Sequence, residues 1–477
     1  MTHITLDAKT EHQGIHVVLA VAPKDISPDT AGKDAGEIRF NPSEQKATVS
    51  LGAQDKINLE TFRRAGGALA KWLTKNKATS AAVETASFSD FEIAPDQIAF
   101  ALAEGLALGS FRFDKHKSKK DEPTPATVYF LDESFKSALE QATVICDATN
   151  LARAWAHEPA NVINPVTLAE RVQELAKEAG LKCTVLDDQQ LADMGAGAIV
   201  AVGQGSATPS RLIVLEYQPV AQSEAGGAVE AENELSPVAL VGKAITFDTG
   251  GYSIKTTMGM VGMKYDKCGA MAVVGTLVAA AKLKIKTPLV GILAASENMI
   301  SNVSYRPNDI IKTLSGKTVE IISTDAEGRL VLCDALAYAQ QTFKPRAMID
   351  LATLTGGVVT ALGNTRAGIL SNRDELASAL FNAGEATHER LWQLPLDDEY
   401  FELIKSDDAD MKNSAGVPKA SPIVGGIFLK QFVNDETPWA HLDIAGVSDW
   451  DKDMPYCPKG ASGFGVRLLI EYLHNLG

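Results

Sequence analysis

Ser323-Thr-Asp-Ala-Glu-Gly-Arg-Leu330 sets two carboxylates and a guanidinium at alternate positions, Asp325, Glu327 and Arg329. Before it, Val319-Glu-Ile-Ile322 reads as a buried strand; after it, apolar residues recur at helical spacing from Leu330 to Gln341. In extended backbone, residues i, i+2 and i+4 point to one side. The three charges are therefore expected to converge at the carboxyl end of a strand and above a helix N-terminus, where open α/β sheets keep their active sites. Adjacent acids repel unless a cation lies between them. The segment is either a metal site or a surface turn, with Thr324 or Asp325 as a helix N-cap.

A second segment shifts the balance toward a site. Val241-Gly-Lys-Ala-Ile-Thr-Phe-Asp-Thr-Gly-Gly-Tyr-Ser-Ile-Lys255 follows the apolar run Pro237–Val241 and arranges Lys243, Asp248 and Lys255 around a Gly-Gly turn. Glycine there lets backbone approach a ligand closely. Met263-Lys-Tyr-Asp266 then opens an apolar helix expected from Ala270 to Ala281. Four acids, Asp248, Asp266, Asp325 and Glu327, thus lie beside strand ends or helix starts. An oxygen-rich set of this kind suits hard or borderline divalent ions.

Four carboxylates in one pocket carry charge that cations, or cations with protonation, must neutralise. Two divalent ions about 3.5–4 Å apart would offset it, polarise a carbonyl and lower the pKa of a bridging water. Lys243 has two readings: a neutral amine ligand, or the partner of an acid in an ordinary salt bridge. If the acids hold metals, Lys255 has no carboxylate left over and is a candidate to stabilise an oxyanion. Arg329, at a helix N-terminus, could hold a small anion. The alternative for both is a charge on a solvated loop.

Taken together, these segments resemble the cytosolic leucyl aminopeptidase family, whose octapeptide Asn-Thr-Asp-Ala-Glu-Gly-Arg-Leu is matched except at Ser323. The Gly-Lys-Gly-Ile-Thr-Phe-Asp-Thr-Gly-Gly motif matches at Gly242–Gly251, with Ala244 departing. Met263–Asp266, Leu351–Gly356, His441–Gly446 and Pro159–Pro165 match further, with His157 where the family usually has Asn. The resemblance is strong over about residues 145–477 and weak before. It implies one metal on Lys243, Asp248, Asp266 and Glu327, and a second, exchangeable one on Asp248, Asp325 and Glu327, with Zn²⁺ or Mn²⁺ as the ions. It also implies Lys255 acting on the substrate carbonyl, and Arg329 holding a bicarbonate as general base. Met263, Thr353 and Gly356 would line the pocket for the first side chain, and the Leu354 backbone would contact substrate. The activity implied is release of leucine and other apolar residues from peptides with a free N-terminus, by a homohexamer.

The chain has 477 residues, 45% hydrophobic content and mean hydropathy near zero, which fits a globular protein with an ample core. We expect two α/β domains: a smaller N-terminal one with a linker helix (1–158) and a larger catalytic one (159–477) with a mostly parallel central sheet flanked by helices. Strand-like Ile15–Val21, helical Leu59–Leu73 and Asp96–Leu108, and a long helix near Ser137–Ala156 fill the first. Residues Ala221–Leu235 read as an exposed hairpin insertion. A net charge of −15 argues against nucleic acid as the main partner, and the basic run Lys115–Lys120 reads as a solvated loop. Five cysteines make no disulfide framework, and Cys268 and Cys333 read as buried helix residues. No secretory signal or membrane-length apolar run is visible, so a cytoplasmic location is expected. Two other classes compete: a two-metal phosphoesterase, and a binding protein that kept the fold without catalysis.

Overall fold

The computed structural model describes residues 3–22, 35–120, 123–219 and 236–476. The expected hairpin insertion at Ala221–Leu235 lies outside the described residues. The chain divides into two compact units, one up to Ala154 with Trp450–Ser462, the other Trp155–Asp449 with Gly463 onward.

Among the described residues, the main sheet of the first unit has six strands: β1 Ile4–Ala8, β2 Ile15–Ala22, β3 Ile38–Asn41, β4 Lys46–Ala53, β5 Ser80–Val83 and β6 Ala126–Phe130. Their order is β1-β6-β5-β2-β4-β3, parallel throughout except β3 against β4. Helices Leu59–Lys75 and Pro95–Gly109 connect them. The first starts at Asn58, whose side chain and Thr61 form a reciprocal capping box. Phe62, Ala65, Leu69 and Leu73, spaced at helical period, form its buried stripe. Residues Lys115–Lys120 are exposed, in a loop.

In the second unit the strands are β7 Lys182–Leu186, β8 Arg211–Tyr217, β9 Val238–Asp248, β10 Leu289–Asn298, β11 Ile310–Lys312, β12 Thr318–Glu320, β13 Ala347–Ala352, β14 Ala367–Ser371, β15 Leu391–Gln393, β16 Met411–Lys412 and β17 Trp439–Asp443. Eight of them form one sheet in the order β15-β14-β17-β13-β9-β10-β8-β7. The central four, β17, β13, β9 and β10, run parallel, while β14, β8 and β7 join antiparallel to their inner neighbours. Strand β9 is buried at ten of eleven positions, as expected of a parallel strand covered on both faces. The helices Cys268–Leu283 and Gly328–Phe343 are also buried along most of their length. Val241, Ile245, Leu332, Leu336, Met348, Phe428 and Trp439 belong to the core between sheet and helices.

One expectation is corrected. The stretch Val319–Ile322, expected as a buried strand, is a strand only as far as Glu320. It contributes only the short β12, in a separate three-stranded sheet ordered β11-β12-β16. The ladder stops because Asn413 replaces it. Asn413 Oδ1 accepts from Ile322 N at 2.8 Å and Ser323 N at 3.2 Å, and its Nδ2 donates to Ser323 O at 2.6 Å. The chain then bends, with Ala326 N donating to Ser323 O at 3.3 Å. Asp325, Glu327 and Arg329 are therefore not presented by extended backbone; a turn and the first residues of a helix present them.

No described helix is long and apolar enough to cross a membrane. None of the five cysteines forms a disulfide, and Cys268 and Cys333 are buried in helices.

Candidate active site

The carboxyl ends of β9, β10 and β13 bring the acids together, the position expected for a site in an open α/β sheet. Asp248 is the last residue of β9. It is followed by a turn that Gly250 and Gly251 make at φ +85° and +62°. Glu327 immediately precedes the helix Gly328–Phe343. Asp266 lies between a short 3-10 turn, Met263–Tyr265, and the helix Cys268–Leu283. Asp248, Asp325 and Glu327 each offer an oxygen, all within 4.8 Å of one another. Asp248, Asp266 and Glu327 are buried, whereas the Asp325 side chain is 37% exposed and forms the open edge.

Lys243 projects from β9 into the middle of this group. Its Nζ lies 2.7 Å from Asp266 Oδ1, 2.9 Å from Glu327 Oε1 and 2.9 Å from Thr353 O. Thr353 also donates from Oγ1 to Asp266 Oδ1 at 2.6 Å. Lys255 Nζ pairs with Asp248 Oδ2 at 2.8 Å and with Asp325. Burial alone would lower both lysine pKa values, but the surrounding carboxylates outweigh it and hold both ammonium groups charged.

The acids remain in excess. Burial first, then Glu327 and Asp266, pushes Asp248 up to about 7. Burial raises Asp266 to about 6 against the pull of Lys243. Asp325 is also raised, by burial and by Glu327. Burial acts upward on Glu327 too, but Lys243 and Lys255 overcome it and keep this carboxyl below its ordinary value. Four acids face two ammonium groups, and the buried Asp266 Oδ2 and Glu327 Oε2 have no hydrogen-bond partner. An unpartnered buried carboxylate oxygen is costly unless a cation meets it. The residues present thus fit divalent cations: carboxylate oxygens with negative charge in excess and two oxygens uncommitted, which Lys243 could join only as an amine that has given up its proton to the entering cation.

Arg329, second in its helix, is buried rather than set on a solvated loop. Nη1 donates to Asn413 O at 2.8 Å, Nε has no partner, and the guanidinium lies 6.0 Å from the Phe428 ring. Burial lowers its pKa to about 10. Of the expected pocket residues, Met263 is half-buried at the start of the turn leading to Asp266, and Thr353 touches both Lys243 and Asp266. Leu354 N donates to Asp443 Oδ1 at 3.1 Å, and Gly356 is exposed at the head of the helix Gly356–Leu362.

Four residues support the site in ways that the sequence patterns do not indicate. Asn298 Nδ2 bridges Asp248 Oδ1 and Thr324 O. Thr324 Oγ1 accepts from Ser253 N at 2.8 Å and donates to Gly250 O at 2.6 Å, joining the two acidic segments. Asn413 shapes the 322–324 bend, and Asp443 accepts from Leu354 N and Thr355 Oγ1. For Asn298 the signal was weak, a polar residue three positions beyond the apolar run Leu289–Ala295. Asn413 had none, since it lies 90 residues from Ser323.

Residues 150–470 match the family described as "Cytosol aminopeptidase family, catalytic domain", and residues 39–120 match its N-terminal domain. Likeness therefore reaches further toward the N-terminus than the motifs alone indicate. A protein of Geotalea uraniireducens (strain Rf4), described as a probable cytosol aminopeptidase, is 45% identical over 91% of this chain and 86% of its own length. One of the same description from Syntrophotalea carbinolica is 46% identical over 93% and 89%. The solved structure of the bottromycin maturation enzyme BotP in complex with Mn superposes with a TM-score of 0.88 at 31% identity, covering 97% of this chain and 99% of that one.

Proposed function

The chain belongs to the cytosol aminopeptidase family and is a metal-dependent aminopeptidase acting on peptides; from that premise we propose that it releases leucine and other apolar residues from free N-termini, using two divalent cations. The observation that carries this reading is the buried acid cluster around Lys243, with Asp266 Oδ2 and Glu327 Oε2 unpartnered. Lys243, Asp248, Asp266 and Glu327 would hold one cation, and Asp248, Asp325 and Glu327 the other. Such a pair, when bound, polarises the scissile carbonyl and brings the pKa of the attacking water toward neutrality.

The chain's own residues supply the rest. Lys255, on the open edge beside Asp325, presents an ammonium group to the carbonyl oxygen as negative charge develops there. Arg329 keeps Nε free of protein partners and would hold a bicarbonate that accepts the water proton. Met263, Thr353 and Gly356 border the first side chain, and the Leu354 backbone aligns the peptide. Among the departures from the family pattern, Ser323 Oγ accepts from Asp325 N at 3.3 Å and so supports the turn. Zn²⁺ or Mn²⁺ fits oxygen donors with one amine, and the manganese of the BotP complex agrees with that choice. A homohexameric, cytoplasmic enzyme completes the proposal, in keeping with the cytosolic description of the relatives.

The test is removal and return of metal. Dialysis against a chelator should abolish release of leucine from a leucyl anilide, and Zn²⁺ or Mn²⁺ should restore it. Full activity in a metal-stripped Asp325→Ala protein would sink the reading.

A further inference from the structure

Asn298 closes β10, and its side chain is wholly buried. It faces Asp248, its register partner on β9, just beyond an irregularity after Ser296. Nδ2 donates to Asp248 Oδ1 at 2.8 Å and to Thr324 O at 2.9 Å. Both partners accept only, so the NH₂ end of the amide, not its oxygen, must lie between them. The main-chain carbonyl of Asn298 accepts from Thr249 N at 3.0 Å and Thr249 Oγ1 at 2.8 Å. One residue thereby ties the end of β9 to the carbonyl that immediately precedes Asp325.

Asp248 Oδ1 receives a second bond, from Gly250 N at 2.8 Å. That oxygen is committed to two protein donors, and Oδ2 is the one that meets Lys255. Asn298 Oδ1 has no partner although buried. It lies beside Gly251, where an added Cβ would stand 3.1 Å from it and 2.8 Å from Thr324 Oγ1. A leucine has the same branched heavy-atom skeleton, with bulkier methyl ends, and would bring no Oδ1 to leave unsatisfied, so shape alone does not account for an asparagine here.

We infer that Asn298 is a positioning residue that fixes the spacing between Asp248 and the Asp325 turn and restricts Asp248 to Oδ2 for cation binding. The inference rests on the two-cation reading above. A carboxylate with one oxygen tied off serves two cations only by sharing the other, so the amide couples the loading of the two positions. Asn298→Leu keeps the branched heavy-atom skeleton and removes both donors; Asn298→Ser is smaller and keeps one donor.

The test compares the full-length wild type with N298L and N298S, by Mn²⁺ titration calorimetry, metal content after desalting and the visible spectrum of the Co²⁺-loaded protein. The wild type should take two Mn²⁺ per chain. N298L, folded by circular dichroism, should bind them roughly 10–100-fold more weakly, the range seen when a partner behind a metal ligand is removed. Its Co²⁺ spectrum should shift, kcat should fall with KM little changed, and N298S should lie between. Wild-type affinities and an unchanged Co²⁺ spectrum in folded N298L would overturn the inference; if N298L fails to fold, the same result in N298S does so. A wild type that takes fewer than two ions defeats the two-cation reading instead, and the variant's affinity for the remaining ion still decides the role of Asn298.

Discussion

Gly328 lies flat against the Lys243 side chain: a Cβ at Gly328 would stand 2.5 Å from Lys243 Cε and 2.7 Å from its Nζ. The helix that carries Glu327 at its head can approach β9 this closely only because its first residue has no side chain.

Gly328→Ala should therefore separate stability from activity. The clash falls on the end of a flexible chain, and alanine favours the helix by up to about 1 kcal/mol. We expect unfolding free energy to change by no more than about 1–2 kcal/mol. Displacing the ammonium from Asp266 and Glu327 should lower kcat/KM by at least about tenfold, the equivalent of about 1.4 kcal/mol. Calorimetry and leucyl-anilide kinetics on the same preparation check this; unchanged kinetics would show that Lys243 placement is irrelevant to turnover.

Thr353→Val removes the 2.6 Å bond to Asp266 and keeps the shape of the side chain. A hydrogen bond to a charged group contributes about 1.5–3 kcal/mol. Chemical denaturation of the metal-stripped protein should show a loss in that range, because Asp266 is then left with Lys243 alone.

Metal should stabilise the fold. Ions that meet Asp266 Oδ2 and Glu327 Oε2 bind the native state and not the unfolded chain. One site at a hundredfold excess over Kd then adds about 2.7 kcal/mol. The melting temperature should rise with Mn²⁺ or Zn²⁺, and rise less in Asp325→Ala. A melting temperature indifferent to both ions would argue against the site.

The buried pair His441–Asp350 gives stability a pH dependence. Burial acts to lower the His441 pKa, but Asp350, with Oδ1 2.6 Å from Nδ1, outweighs it and raises the value above 6.5. A histidine whose folded pKa is raised stabilises the native state fully below the unfolded value. That contribution is lost as pH rises through the folded one. Denaturation curves from pH 6 upward should show stability falling by at most about 1.4 kcal/mol per pH unit from this group. Asp350→Asn should flatten that slope; an identical slope in the variant would assign it elsewhere.

Local chemistry made much of this legible in the chain itself. Continuous apolar runs specified β9, β10 and β13, helical spacing specified Leu59–Lys75 and Gly328–Phe343, and the clustering of acids around short glycine-bearing segments drew attention to Asp248, Asp325 and Glu327. Those features depend on neighbours within a few residues, so sequence carries them. Tertiary structure alone decided the length of β12, because the group that ends its ladder is the amide of Asn413, 90 residues away. It also paired Lys255 with Asp248 and Asp325, buried Arg329 beneath Asn413 O, and placed Asn298 between two acceptors. Hydrogen bonds between residues far apart in the chain leave no periodic trace in it. They form only once the sheet has set its strand order, and that order brings the ends of β9, β10 and β13 side by side.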